Sequence, residues 1–147
     1  MNNEEEIKFT IGTDIEEIDR FRALEDESPF YARVFSPNEL AYCRRFQDPS
    51  PHFATTFAGK EAVVKATSST CRVALSKVEI LRDEQGAPLV VLHEECDYDL
   101  YVSLSHSASH AVAVALAVRQ SYASDMNEIR QLLVSTVKQI LPGGEVP

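Results

Sequence analysis

Hydrophobic and polar positions change their period several times along the chain, and each change marks an element. Residues Ile7 to Ile15, IKFTIGTDI, are rich in β-branched side chains around Gly12. That pattern predicts a strand over about 7–12, ending at a turn that presents Asp14. IEEIDRFRAL follows, with Ile15, Ile18 and Leu24 near helical spacing and Phe21 beside them. It predicts a helix over about 16–25, with Asp14 placed to cap it. Pro29 closes the acidic EDESP stretch, because a proline disfavours helix in the residue before it. FSPNELAYCRRF opens with Ser36 as N-cap, Pro37 at the first helical position and Glu39 three residues after the cap. This is a capping box, and it predicts a helix to about Arg45.

QDPSPH reads as a loop, and the alanine-rich FATTFAGKEAVVKAT as a helix over about 53–67. On that helix Phe57, Glu61 and Lys65 stand four residues apart and share one face. VALSKVEILRDEQGAPLVVLHEE reads as strand, turn, strand, with the turn at Gln85-Gly86 and Pro88 opening the second strand. YVSLSHSASHAVAVALAVR adds two strands around Ser107–Ser109. Its run AVAVALAV is apolar throughout, the pattern of a strand buried on both faces. Helices and antiparallel hairpins without a βαβ repeat make the fold class α+β. The main domain is expected over 1–121. Residues 122–147 change character: Asp125 as a cap and Ile129, Leu132, Leu133, Val137, Ile140 and Leu141 predict an amphipathic helical extension ended by Pro142.

Composition narrows the function. The chain has 147 residues, 44% of them hydrophobic and 25% charged, enough for one core. It lacks a run of 18 or more apolar residues, so no membrane span is expected. The N-terminus MNNEEEIKF has no apolar h-region, so no signal peptide is expected either. A net charge of −9 disfavours general nucleic-acid binding, which needs a basic footprint. Arg44-Arg45 and Lys60 with Lys65 are the local basic positions. Cys43, Cys71 and Cys96 are odd in number and lack CxxC spacing, which argues against both a disulfide framework and a zinc site and for a reducing cytoplasm.

Asp14 and Glu61 are the carboxylates best placed for chemistry, one at a strand end and one on a helix flanked by small residues. Two carboxylates, with water and substrate phosphate at the remaining positions, are how magnesium is usually held. Lys60 and Lys65 could neutralise the same phosphates as point charges. His106, in SLSHSAS, could contact a phosphate or relay a proton. Plainer readings stand beside these. Asp14 could be a helix cap, Glu61 with Lys65 an exposed ion pair worth about 0.3–0.5 kcal/mol, and His106 a turn residue. Spacing alone favours the plain reading for Asp14, Glu61 and Lys65 and leaves the two readings of His106 even. GxSxG, Walker A, GxGxxG and HExxH motifs are absent, which removes support from covalent hydrolases and common nucleotide-binding folds.

Taken in order, Gly12 to Arg20 (GTDIEEIDR), Phe35 to Glu39 (FSPNE), Phe57 to Ala66 (FAGKEAVVKA) and Ser103 to His106 (SLSH) form a set. It resembles the holo-acyl-carrier-protein synthase family of small 4′-phosphopantetheinyl transferases, over residues 7 to about 118. The resemblance implies an α+β fold, an antiparallel sheet with packed helices, assembled as a homotrimer with clefts between subunits that bind coenzyme A. It implies transfer of the 4′-phosphopantetheine arm to a serine of an apo acyl carrier protein in fatty acid or polyketide biosynthesis. Asp14 and Glu61 would then be magnesium ligands. Lys65 would sit at the pyrophosphate as a catalytic residue, Lys60 at a further phosphate, and His106 near the coenzyme phosphates. Arg45 is a further candidate for the coenzyme, and Arg20 would lie on the helix that docks the carrier. The serine proton would pass to a metal-bound water or to Glu61.

Two stretches depart from the family pattern. ATSSTCRV has no glycine where a glycine-rich turn usually wraps the coenzyme. Arg20 and Arg22 are followed by Glu25, Asp26 and Glu27 on a docking segment that is usually basic. These departures define an alternative: a coenzyme A or carrier-protein binding module of the same fold with impaired catalysis. The extension beyond residue 121 is not part of the pattern.

Overall fold

Helix α4 (Ser50–Thr67) is buried on nearly every side, and the rest of the chain is arranged around it. A helix covered all round needs small or apolar residues on every face, which its alanines, valines and Gly59 supply. The computed structural model describes residues 7–125, with Gln131, Ser135 and Gln139 beyond them. The expected extension at 122–147 therefore lies almost wholly outside the described residues.

The elements run β1 (Phe9–Glu17), α1 (Ile18–Arg22), α2 (Pro29–Val34), α3 (Pro37–Cys43), α4, β2 (Val78–Arg82), β3 (Pro88–Leu92), β4 (Tyr98–His106) and β5 (His110–Arg119). Strands β1, β5 and β4 form an antiparallel sheet in that order, and β2 pairs with β3 as a separate hairpin. The α+β class is thus present as expected.

Contact between α4 and the sheet depends on side chains that are missing or minimal. A Cβ on Gly12 would lie 2.1 Å from the Ala62 carbonyl oxygen and 2.6 Å from the Ala66 nitrogen. Only glycine lets β1 come that close. On β5 the inward positions are Ala111, Ala113, Ala115 and Ala117, all fully buried against the helix. The outward positions differ. Val112 and Val114 are exposed, together with Phe9, Ile11 and Ile15 of β1 and Tyr101 of β4. The reading of AVAVALAV as buried on both faces is therefore corrected. In a single chain α4 covers one face of β5 and the other is open.

Local signals placed several elements well. Ser36 caps α3 by accepting from the Glu39 amide while Glu39 accepts from the Ser36 amide. Gly86 takes a φ of +85° at the β2–β3 turn, a conformation that suits glycine. The start of the chain departs from expectation. β1 does not end at residue 12 but runs to Glu17, because every residue to Glu17 finds a partner on β5, ending at His110. Asp14 is consequently mid-strand and caps nothing. Helix α1 is cut to five residues behind an N-cap at Glu17 that makes no side-chain cap bond.

Two apolar clusters complete the core. One joins α4 to the sheet and hairpin through Val63, Val78 and Ile80. The other gathers Phe21, Tyr31, Phe35, Phe53 and Phe57 from α1, α2 and α4. Each such side chain contributes about 1.5–3 kcal/mol by leaving water. The cysteine reading also needs correction. Cys71 and Cys96 are joined in a disulfide with their Cα atoms 5.5 Å apart. Their separation of 25 residues fits no spacing motif. The tertiary fold brings the loop after α4 against the segment before β4. Cys43 is free and buried, and burial pushes its thiol up to about 12, which keeps it neutral.

Candidate functional site

Alternation along β1 places Asp14 and Glu16 on the face that meets α4, and α4 sends Glu61 and Lys65 toward the same edge. Lys65 Nζ donates to Asp14 Oδ1 at 2.7 Å and to the Thr13 carbonyl at 3.0 Å. Asp14 is largely covered while Lys65 is half exposed. The other Asp14 oxygen, Oδ2, is buried and has no hydrogen-bond partner. A buried polar atom left open is rare in a folded chain and calls for a ligand or a proton.

Glu16 supplies the third carboxylate. Burial raises its carboxyl to about 6, helped by a hydrogen bond with Asp14 when one of the two is protonated and by the charges of Asp14 and Glu61. Arg20 opposes this through an ion pair with Glu16 at 2.8 Å. The Lys65 ammonium is held above its usual range first by its hydrogen bond to Asp14, with Glu61 and Glu16 adding their charge. Three carboxylates thus crowd one lysine and one arginine. Sequence reasoning missed Glu16, although its position two residues after Asp14 on a strand was the available signal.

The donor set fits a magnesium ion. Among the described residues no three His, Cys, Asp or Glu side chains are spaced to hold a metal by themselves. Magnesium does not need three, since it keeps several waters and takes one or two carboxylates plus substrate phosphate. Asp14, with Oδ2 unpartnered, and Glu61 could supply that pair.

Other expected site residues lie elsewhere. Lys60 is the clearest correction. Its ammonium is buried, donates to Glu39 Oε2 at 2.8 Å and to the Val78 carbonyl, and cannot reach a phosphate. Glu39 also accepts from the Ile80 amide at 2.7 Å, so the pair ties α3, α4 and β2 together. Lys60 points away from Lys65 because five residues turn a helix by about 140°. His106 ends β4, exposed, with Nδ1 donating to the Ser107 carbonyl at 3.0 Å. Its partner across the sheet is Ala111, whose other neighbour is Glu16. Two strand spacings, roughly 10 Å, therefore separate His106 from the carboxylates. Arg45 follows α3 and lies over the Tyr42 and Phe46 rings.

Each departure has a structural counterpart. Without glycine after α4, Arg72 adopts the left-handed turn, with φ at +50°, beside the Cys71–Cys96 bond. On α1, Arg20 pairs with Glu16, and Arg22 pairs with Asp19 at 2.6 Å and Asp48 at 2.8 Å. Its arginines are occupied within the chain.

The family model described as the 4′-phosphopantetheinyl transferase superfamily matches residues 10–116. The holo-[acyl-carrier-protein] synthase of Moorella thermoacetica is 38% identical over 124 residues, covering 78% of this chain and 96% of that protein. That of Caldicellulosiruptor bescii is 36% identical over 117 residues, covering 74% and 97%. Among solved structures, the ACPS–CoA complex of Chronobacterium ammoniagenes superposes with a TM-score of 0.67 at 27% identity, covering 78% of this chain and 99% of that one. The holo-(acyl-carrier-protein) synthase of Bacillus anthracis in complex with CoA (3′,5′-ADP) also gives 0.67, at 26% identity over 77% and 99%.

Proposed function

The chain belongs to the 4′-phosphopantetheinyl transferase superfamily, and we propose from that premise that it is a holo-acyl-carrier-protein synthase. It moves the 4′-phosphopantetheine arm of coenzyme A onto a serine hydroxyl of an apo acyl carrier protein and releases 3′,5′-ADP. The observation that carries the site assignment is the Asp14–Lys65 pair with Asp14 Oδ2 left open beside Glu16 and Glu61.

Phosphoryl transfer asks a protein for positioning and charge neutralisation more than for covalent chemistry. Asp14 and Glu61 would hold magnesium, which when bound neutralises pyrophosphate charge and steadies the leaving group. The serine oxygen bonds to the phosphorus on the pantetheine side of the pyrophosphate, and the bond from that phosphorus to the oxygen of the 3′,5′-ADP half breaks. Glu61 takes the serine proton on its carboxylate. Lys65, half exposed and one helical turn away, sets its ammonium against the departing phosphate.

A homotrimer is part of the proposal. Ile11 and Ile15 are 70% and 63% exposed on the outer sheet face, continuous with Phe9, Tyr101, Val112 and Val114. An apolar surface of that kind supports burial against further copies. No described helix is long and apolar enough to cross a membrane.

Incubation with coenzyme A, magnesium and an apo carrier protein tests the reading by mass spectrometry. The expected result is a carrier heavier by one phosphopantetheine arm. Coenzyme binding with no mass gain across several carriers would favour a binding module of the same fold instead.

A further inference from the structure

Arm transfer makes no use of the Cys71–Cys96 bond, yet that bond closes the turn in which the lysine helix ends. Ser68 donates to the Lys65 carbonyl through its amide at 3.3 Å and its hydroxyl at 2.8 Å. Arg72 donates to the Thr67 carbonyl through its amide at 2.8 Å and to the Ser68 carbonyl through Nε at 3.3 Å. Ser68, Ser69 and Arg72 are exposed, and Cys71 is the one apolar side chain of this turn, packed against the core. Arg72 keeps a φ of +50°, which an arginine holds only where its neighbours are fixed.

The far end of the bond is anchored independently. Beside Cys96, the Asp97 carbonyl accepts from the Gln120 amide at 2.9 Å and the Asp97 carboxylate pairs with Arg119 at 3.2 Å. Glu94 accepts from the Ala74 amide, beyond the turn, at 2.8 Å. Opening the sulfur bond therefore frees the turn and not the strands around it. A thiol can reach it, because Cys96 lines an open groove of about 490 Å³ together with Glu94, Glu95, Asp99 and Tyr101. Cys43 is buried and takes no part in the pair.

We propose that Cys71–Cys96 is a redox latch that positions Lys65 through the turn at 68–72, opened by a dithiol reductant that enters at Cys96. A thiolate of the reductant attacks the Cys96 sulfur, and the Cys71 sulfur leaves and takes up a proton. The second thiol of the reductant then displaces Cys96, so the reductant ends as a disulfide and both cysteines as thiols. The acidic lining of the groove repels anionic thiols and admits neutral or cationic ones. Closed, the latch keeps Lys65 on Asp14. Open, it lets the last turn of α4 fray, since the carbonyls of a helix end lack partners within the helix. The effect on turnover rests on the transferase reading above, whereas the opening of the turn does not.

The test measures kcat and amide hydrogen exchange on the full chain, oxidised and then reduced with a neutral dithiol, well below the melting temperature. Reduction should lower kcat by about 10-fold, raise exchange at residues 65–72 and lower the melting temperature by about 10 °C. Reoxidation should reverse all three. The double variant Cys71→Ser with Cys96→Ser should match the reduced chain and ignore the dithiol. In Lys65→Ala the redox state should change kcat by less than about twofold, because the turn acts through that lysine. Equal kcat in both redox states, a double variant that still responds to dithiol, or a full response in Lys65→Ala overturns the inference. So does opening that is no faster with cysteamine than with glutathione at equal thiolate concentration in low salt. Failure of the transferase reading looks different: wild type transfers no arm in either redox state, while exchange at residues 65–72 still reports the latch.

Discussion

Lys60 and Lys65 sit five residues apart on one helix, within one alanine-rich stretch, and do opposite work. Lys60 is 1% exposed, and its ammonium donates to Glu39 and to a backbone carbonyl. Lys65 is half in solvent, and the carboxylate it holds keeps one oxygen open. The difference shows what separates a structural charge pair from a reactive one. In the first, the ammonium and both carboxylate oxygens have partners and water is excluded. In the second, one buried acceptor remains unmet beside a lysine that reaches solvent.

Breaking the buried pair should have the largest effect. Lys60→Ala leaves Glu39 charged and unpartnered in the core, and should cost about 3–5 kcal/mol in denaturant unfolding. The double change Lys60→Met with Glu39→Gln should recover most of that loss. If Lys60→Ala is as stable as wild type, the pair is not structural. At the open pair the loss should be in turnover instead. Asp14→Ala and Glu61→Ala should each lower kcat by about 10²–10³-fold or more while the melting temperature and assembly persist. Near-normal rates in either would remove the metal assignment.

Lys65→Ala should follow, with a loss of about 10–100-fold in kcat/KM and less than about 1 kcal/mol in stability. A stability loss matching that of Lys60→Ala would erase the contrast between the two lysines. A smaller effect concerns Glu16. Its folded carboxyl titrates near 6 against an ordinary value of 4.5, so the folded chain binds more protons in that window. Stability from this group is present below about 4.5 and falls as pH rises through 6. In metal-free buffer, Glu16→Gln should flatten that decline and raise stability at pH 7 by at most about 1 kcal/mol, discounted for solvent screening. An unchanged pH profile of unfolding would show that Glu16 is not crowded by its neighbours. The gentlest probe counts thiols. Protein denatured without reductant should titrate one free thiol, Cys43, where three would show Cys71 and Cys96 to be unpaired.

Local chemistry made much of the fold legible. Ser36 and Glu39 cap each other within one turn of chain, Gly86 supplies a left-handed residue to a two-strand turn, and Ser107–Ser109 separate two strands. Each signal acts over a few residues, so a linear reading finds it. The end of β1 was not legible. Asp14 reads as a cap by its neighbours and becomes a strand residue only because β5, about a hundred positions later, pairs with it. The Cys71–Cys96 bond has the same origin, as does the single open face of β5.

By itself the sequence determined the α+β class and the order of most elements, α2 excepted, and offered Asp14, Glu61, Lys65 and His106 as the candidate chemical set, because capping, periodicity and motif spacing are written in adjacent residues. Tertiary structure alone decided which of the two lysines meets solvent and that Glu16 joins the carboxylates. Those outcomes depend on which faces of α4 are covered. Gly12 and the β5 alanines settle that by letting the sheet come close on one side, while β2 closes over Lys60 on the other.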